Sequence, residues 1–144
     1  MNPTVALIAL GALLLLTAAL GVLLARRAQR TTRLGANADG IDPAELGASA
    51  LGARGTVVQF STEFCSRCPG VRRLISELVE DYAGVDFVHV DLTHRPDLAN
   101  RYRLLQTPTV LLLDGEGRAR TRLTGAISRG SLAQELETLT GAPV

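Results

Sequence analysis

Hydrophobic and polar positions divide the chain into two unequal parts. From Pro3 to Ala25 no residue is charged, and Leu, Ala, Val and Ile are relieved only by Thr4, Gly11, Thr17 and Gly21. At ~1.5 Å per residue such a helix reaches roughly 30–35 Å, enough to cross the hydrocarbon core of a bilayer. A helix buried in a soluble core normally keeps a polar face, and this one has none. A cleaved signal peptide opens with positive charge and ends at a small-residue site. Here the apolar run is longer, and arginines follow it rather than precede it. The pattern therefore predicts an uncleaved membrane anchor over residues 1–25.

The remainder alternates in the manner of an α/β domain. Residues 26–40 show no hydrophobic periodicity and read as a basic flexible tether, with Gly35, Asn37, Asp39 and Gly40 at its end. The domain is expected over residues 41–144. Asp42, Pro43 and Glu45 can start a short helix running to Ala50. Thr56 to Phe60 is a β-branched apolar run suited to a buried strand. Val71, Leu74, Ile75, Leu78, Val79 and Tyr82 recur at helical spacing and stop at Gly84. Val85 to Val90 is a second strand, Pro96 to Tyr102 a short helix, and Thr109 to Leu113 a third strand. Asp114 to Gly117 supplies turn chemistry before a fourth strand over Arg118 to Leu123. Ser131 to Thr140 closes the chain as a helix. This order implies an α/β sandwich, a mixed sheet with helices on both faces.

Charge refines the picture in one place. Arg26, Arg27, Arg30 and Arg33 form a basic cluster, and Asp39 is the first acidic residue of the chain. Arginines beside a spanning helix favour the cytoplasmic side, which puts the C-terminal domain there. From Ile41 onward eleven arginines face thirteen acidic residues, so the domain is mildly acidic. With no Trp and only Phe60, Phe64, Phe87, Tyr82 and Tyr102 as aromatics, a nucleic-acid stacking surface is excluded. Two cysteines form neither a secreted disulfide framework nor a complete zinc site. They are most simply a redox pair.

Cys65 and Cys68 lie between a strand and the start of an amphipathic helix. The free N–H groups and positive dipole of a helix N-terminus favour a thiolate, so the first cysteine can act as a nucleophile. A second cysteine in the first turn is placed to close the disulfide. Arg67, Arg72 and Arg73 add positive charge to that end. With Thr107-Pro108-Thr109 leading a later strand, Val88-His89-Val90-Asp91 ending an earlier one, and Thr124-Gly125-Ala126 before the last helix, the chain resembles the thioredoxin superfamily from Ile41 to its C-terminus. The resemblance implies a thioredoxin-like fold and a cis peptide before Pro108. It also implies an apolar platform of Phe64, Thr107, Pro108, Gly125 and Ala126 that receives a partner protein.

Three positions depart from the family pattern. Phe64 stands where thioredoxins usually carry Trp. Ser66 and Arg67 replace Gly-Pro between the cysteines, a pair that tunes the redox potential, and the proline has moved to Pro69. Gln59 occupies the place of a buried Asp and cannot carry a proton to or from Cys68. Glu63 is a nearby carboxylate facing solvent and a candidate substitute base. His89 and His94 have no partner cluster and read as structural or solvent residues rather than metal ligands. The sequence thus points to a membrane-tethered thiol–disulfide oxidoreductase that reduces protein disulfides, with Cys65 and Cys68 catalytic and Gln59, Ser66 and Arg67 tuning them. It needs no cofactor or metal, takes electrons from an upstream thiol donor, and meets lipid through residues 3–25. Two alternatives keep the fold: an extracytoplasmic thiol–disulfide interchange factor for exported proteins or cytochromes, and a non-enzymatic adaptor.

Overall fold

A computed structural model describes residues 2–34 and 40–141. Helix α1 spans Pro3–Ala28. Its large apolar side chains are exposed all round, from Val5 to Leu24, so no part of the domain covers it. It is the one helix among the described residues long and apolar enough to cross a membrane, over Pro3–Leu24.

Five strands follow, β1 (Gln29–Arg33), β2 (Gly55–Ser61), β3 (Val85–Asp91), β4 (Thr109–Leu113) and β5 (Ala119–Gly125), with helices α2 (Cys68–Val79), α3 (Pro96–Arg101) and α4 (Arg129–Thr140). They form one mixed sheet in the order β1-β5-β4-β2-β3. Strands β2 and β3 are parallel, because α2 carries the chain across between them; the other pairs are antiparallel. Strand β2 is buried along its whole length, its polar Thr56, Gln59 and Ser61 included.

The sheet has a core on each face. On one, Val57, Val110, Leu112 and Leu123 meet Val71, Ile75 and Leu78 of α2 and Leu132 and Leu136 of α4. On the other, Val58, Phe60, Leu111 and Leu113 meet Leu98 of α3 and Leu46. The alternation along β2 and β4 places successive residues on opposite faces. The expected mixed sheet with helices on both faces is the fold found.

Two expectations are corrected. The predicted flexible tether is not one over Gln29–Arg33, which pairs with β5 in antiparallel register, Gln29 opposite Gly125 and Arg33 opposite Thr121. Those residues satisfy β5's outer backbone groups, a role that needs no apolar periodicity. Residues 35–39 of the same stretch lie outside the described residues. The helix expected from Asp42 to Ala50 is a single 3-10 turn over Pro43–Leu46, capped by the Asp42 carboxylate and ended by Gly47 at φ 72°.

Candidate active site

The site is assembled at one end of the sheet. Strand β2 delivers the chain at Ser61 into a loop in which the Cys65 N–H donates to the Thr62 carbonyl at 3.1 Å and the Cys68 N–H to the Cys65 carbonyl at 3.2 Å. Cys65 and Cys68 are disulfide-bonded with Cα atoms 5.4 Å apart. Cys68 opens α2 and is buried, while Cys65 is half-buried. The pair is therefore asymmetric. An outside thiol or disulfide has access to Cys65, and Cys68 is reached through it. Pro69 sits in the first turn of α2, where its missing N–H removes no helical bond.

Beside the cysteines runs the Thr107-Pro108 loop, whose peptide is cis as the resemblance implied. Thr62 and Thr107 bring their hydroxyls to 3.5 Å, joining the two loops. Pro108 is buried, Thr107 and Gly125 are half-buried, and Ala126 is exposed. Gly125 ends β5 at φ 81°, a conformation glycine adopts without strain. Phe64 and Leu105 are almost bare, 86% and 96% exposed. Leu105 escaped the sequence reading because a Leu104-Leu105 pair in a polar loop carries no periodic signal to say which of the two turns outward.

Beneath the disulfide lies Gln59, fully buried, whose side-chain amide donates to the Cys68 carbonyl at 2.9 Å. A small cavity of about 230 Å³ opens next to it, lined by Cys65, Cys68, Glu63, Arg72, His89 and Asp91 among others. His89 thus stands in the same cavity as both cysteines, which its place in the sequence alone did not reveal. The signal was its register, since His89 pairs with Gln59 in the parallel β2–β3 ladder. Its Nε2 is 2.6 Å from the Ser61 hydroxyl. Burial first, then the Arg72 guanidinium, hold its pKa below the ordinary 6.5, against a smaller pull upward from Asp91. The imidazole is therefore neutral at pH 7 and able to take a proton.

Glu63 lines the same cavity from the exposed side, with its N–H donating to Thr93 Oγ1 at 3.0 Å. Thr93 in turn donates to Asp91, which holds that carboxyl below its usual pKa. His94 is exposed and lies outside this cavity. Among the described residues no three His, Cys, Asp or Glu side chains converge to hold a metal ion.

The thioredoxin family profile matches residues 49–138. The chain belongs to the thioredoxin family. It is 29% identical over 82 residues to thioredoxin M4 of Arabidopsis thaliana, a chloroplastic protein, covering 56% of this chain and 42% of that one. It is 32% identical over 78 residues to thioredoxin C-2 of Corynebacterium nephridii, covering 54% and 71%. The chain thus spans under half the length of the plant relative. Among solved structures, oxidised mitochondrial thioredoxin 3 of Saccharomyces cerevisiae matches with a TM-score of 0.53 at 24% identity, over 59% of this chain and 78% of that one. A mutant thioredoxin from Halobacterium salinarum matches with a TM-score of 0.56 at 19% identity, over 63% and 79%. These two likenesses speak to the fold. The matched region holds the disulfide, the cis-proline loop and α2, and α1 and β1 precede it.

Proposed function

We propose that this chain is a membrane-tethered thioredoxin that reduces protein disulfides through Cys65 and Cys68. The observation that carries the reading is the asymmetric pair at the start of α2, with Cys65 accessible and Cys68 buried behind it. In the reduced enzyme the Cys65 thiolate, favoured by the helix N-terminus, attacks one sulfur of a partner disulfide. The partner's S–S bond breaks and its leaving thiolate is protonated. Cys68 then loses its proton and attacks Cys65, releasing the partner's second thiolate. Two electrons pass to the partner and the enzyme is left with the Cys65–Cys68 disulfide. An upstream dithiol returns the electrons.

Phe64, Thr107, Pro108, Gly125 and Ala126 serve as the surface for an extended partner segment, a reading supported by the cis peptide before Pro108 and the Thr62–Thr107 contact that ties its loop to the one bearing Cys65. Ser66, Arg67 and Gln59 set its potential. Helix α1 anchors the domain, and the arginines that follow it favour the cytoplasmic side for the domain. The anchor reading is supported by the length of α1 and the exposure of its apolar side chains on every side.

Replacing Cys68 with Ser removes the resolving thiol and should accumulate mixed disulfides on Cys65 in cells. Those species should vanish in the Cys65→Ser, Cys68→Ser double variant. In a purified assay the intact pair should speed reduction of a protein disulfide by dithiothreitol, and both single serine variants should lose that acceleration. No trapped species together with no acceleration would overturn the reading. Extraction of the chain by alkaline carbonate would overturn the anchor.

A further inference from the structure

The position of β1 fixes where the membrane helix enters the domain. Helix α1 ends at Ala28 and β1 begins at Gln29 without a spacer. Gln29 lies opposite Gly125, Thr124 opposite Thr109, and Thr109 opposite Phe60. The start of β1, the end of β5, the start of β4 and the end of β2 therefore share one edge of the sheet. That edge is the one from which the loop bearing Cys65 and Cys68 departs. Three strand spacings separate β1 from β2, about 15 Å across the sheet. The four residues between Leu24 and Gln29 rise only ~6 Å along a helix. This is no more than the ~5–8 Å depth of the headgroup region on one side of a bilayer.

The same edge holds an open groove of about 550 Å³, lined by Arg30, Arg67, Arg103 and Arg122, with Leu105 at its rim. No acidic residue lines it. Among the described residues none of these four guanidiniums is ion-paired with a carboxylate. Arg122 instead donates to the carbonyls of Tyr102 and Arg103, which orients it in the groove. Four like charges gathered without a counter-charge call for an anion, and a guanidinium fork matches phosphate oxygens. Phe64, almost fully exposed, stands beside Cys65 at the same end.

Resting on the anchor reading, we infer that the redox end of the domain faces the bilayer, with the four-arginine groove seated on anionic phospholipid headgroups. Phe64 and Leu105 reach the interface beside it, as exposed apolar side chains flanked by arginines do on membrane surfaces. The disulfides within reach of Cys65 are then those of juxtamembrane segments rather than of freely diffusing proteins.

The chain contains no Trp, so Phe64→Trp installs a single reporter at this end. Glu116→Trp, in the turn between β4 and β5, installs one at the far end of the sheet. Each full-length variant is reconstituted into vesicles of phosphatidylcholine carrying a headgroup-level nitroxide quencher, with or without phosphatidylglycerol as about a third of the lipid. Vesicle flotation is measured on the same samples. The expected result is quenching at least about threefold stronger at position 64 than at position 116 in the anionic vesicles. Replacing Arg67 and Arg103 with Gln, or omitting phosphatidylglycerol, should reduce it at least about twofold.

Chains that fail to float with the vesicles would overturn the anchor reading and this inference with it. Chains that float but are quenched equally at both positions, or more strongly at 116, would overturn this inference alone. Quenching at 64 that ignores lipid charge and the arginine replacements would overturn the groove as a headgroup site and leave it to an acidic segment of a protein partner.

Discussion

The side-chain amide of Gln59 holds the carbonyl of Cys68 at 2.9 Å, while its own Oε1, equally shut off from solvent, has no hydrogen-bond partner among the described residues. The opposite amide orientation would set oxygen against oxygen, so the donor must face Cys68. A neutral amide is thus what the pocket accepts beneath the resolving cysteine.

Substituting Gln59→Glu tests that dependence. Protonated, the carboxyl can still donate to the Cys68 carbonyl; ionised, it confronts that carbonyl without water. Burial raises the folded pKa above the unfolded value, so the variant's stability is retained at low pH and lost as pH rises from the unfolded pKa toward the folded one. Unfolding by urea should show the variant near wild type at about pH 4 and weaker by about 2–4 kcal/mol at about pH 8. The wild-type chain should lack this trend. A flat profile in the variant would mean that the site beneath Cys68 is hydrated.

The His89 imidazole offers a proton route that Gln59 cannot. It shares a cavity with Cys65 and Cys68, is held by Ser61 on β2, and faces Arg72 from α2 and Asp91 on its own strand. If it takes the proton that Cys68 must lose, exchange should slow as pH falls through the imidazole's pKa, below 6.5. His89→Asn should lower the rate near pH 7 by about three- to tenfold and remove that inflection. Stability provides a second readout. A depressed histidine pKa means that folding weakens as pH drops from 6.5 toward the folded pKa, and the variant should lose that part of the slope. An unchanged rate profile would leave His89 as a packing residue bound to Ser61.

Backbone crowding makes a third prediction, away from the chemistry. A Cβ at Gly52 would sit against the Gly55 carbonyl oxygen, 2.6 Å from the Asp86 amide nitrogen and 2.8 Å from the Gly84 carbonyl oxygen. All three obstacles are backbone, where β2 and β3 begin side by side. Nothing there can swing aside as a side chain would. Gly52→Ala should therefore lower stability by about 2 kcal/mol or more. Gly130→Ala is the control, because a Cβ there meets nothing within 4 Å. Thermal unfolding of the two variants decides the point.

How much of this could be read in advance depends on what held each element. Strands β2 to β5 and helices α2 to α4 all carry apolar residues into one of the two cores, and periodicity placed each within a few residues. Thr109–Leu113 matched at both ends. The pairing of Cys65 with Cys68, and the cis peptide before Pro108, followed from the spacing and the family likeness. What escaped carried no periodic apolar signal of its own. Gln-Arg-Thr-Thr-Arg has no apolar alternation, yet it forms β1 because β5 presents unfilled hydrogen-bonding groups along that edge. His89 looked isolated because its neighbours in space, Ser61 and Arg72, come from other elements. The arginine groove was invisible for the same reason, since its four residues are spread from position 30 to position 122.

Strand β1 therefore merits a direct test, because the orientation of the redox end follows from it. An edge strand in an antiparallel pair points alternate N–H groups at its neighbour and the rest at solvent. Amide hydrogen exchange on the full chain in detergent micelles should show an alternating pattern over Gln29–Arg33. Amides facing β5 should exchange about ten- to a hundredfold more slowly than those between them, and faster than the β2 amides at the centre of the sheet. Leu34 should share this protection, because its N–H donates to the Arg120 carbonyl at 2.7 Å. Arg33→Gln removes the 3.6 Å contact with the buried Glu135 carboxylate, which also accepts from the Thr121 hydroxyl at 3.0 Å. Arg33 is itself mostly exposed, so the loss should be at most about 1 kcal/mol and should weaken protection in β1 before it alters β4. Uniformly fast exchange from Gln29 to Leu34 would return this segment to a tether. The domain would then be free to turn its cysteines away from the membrane.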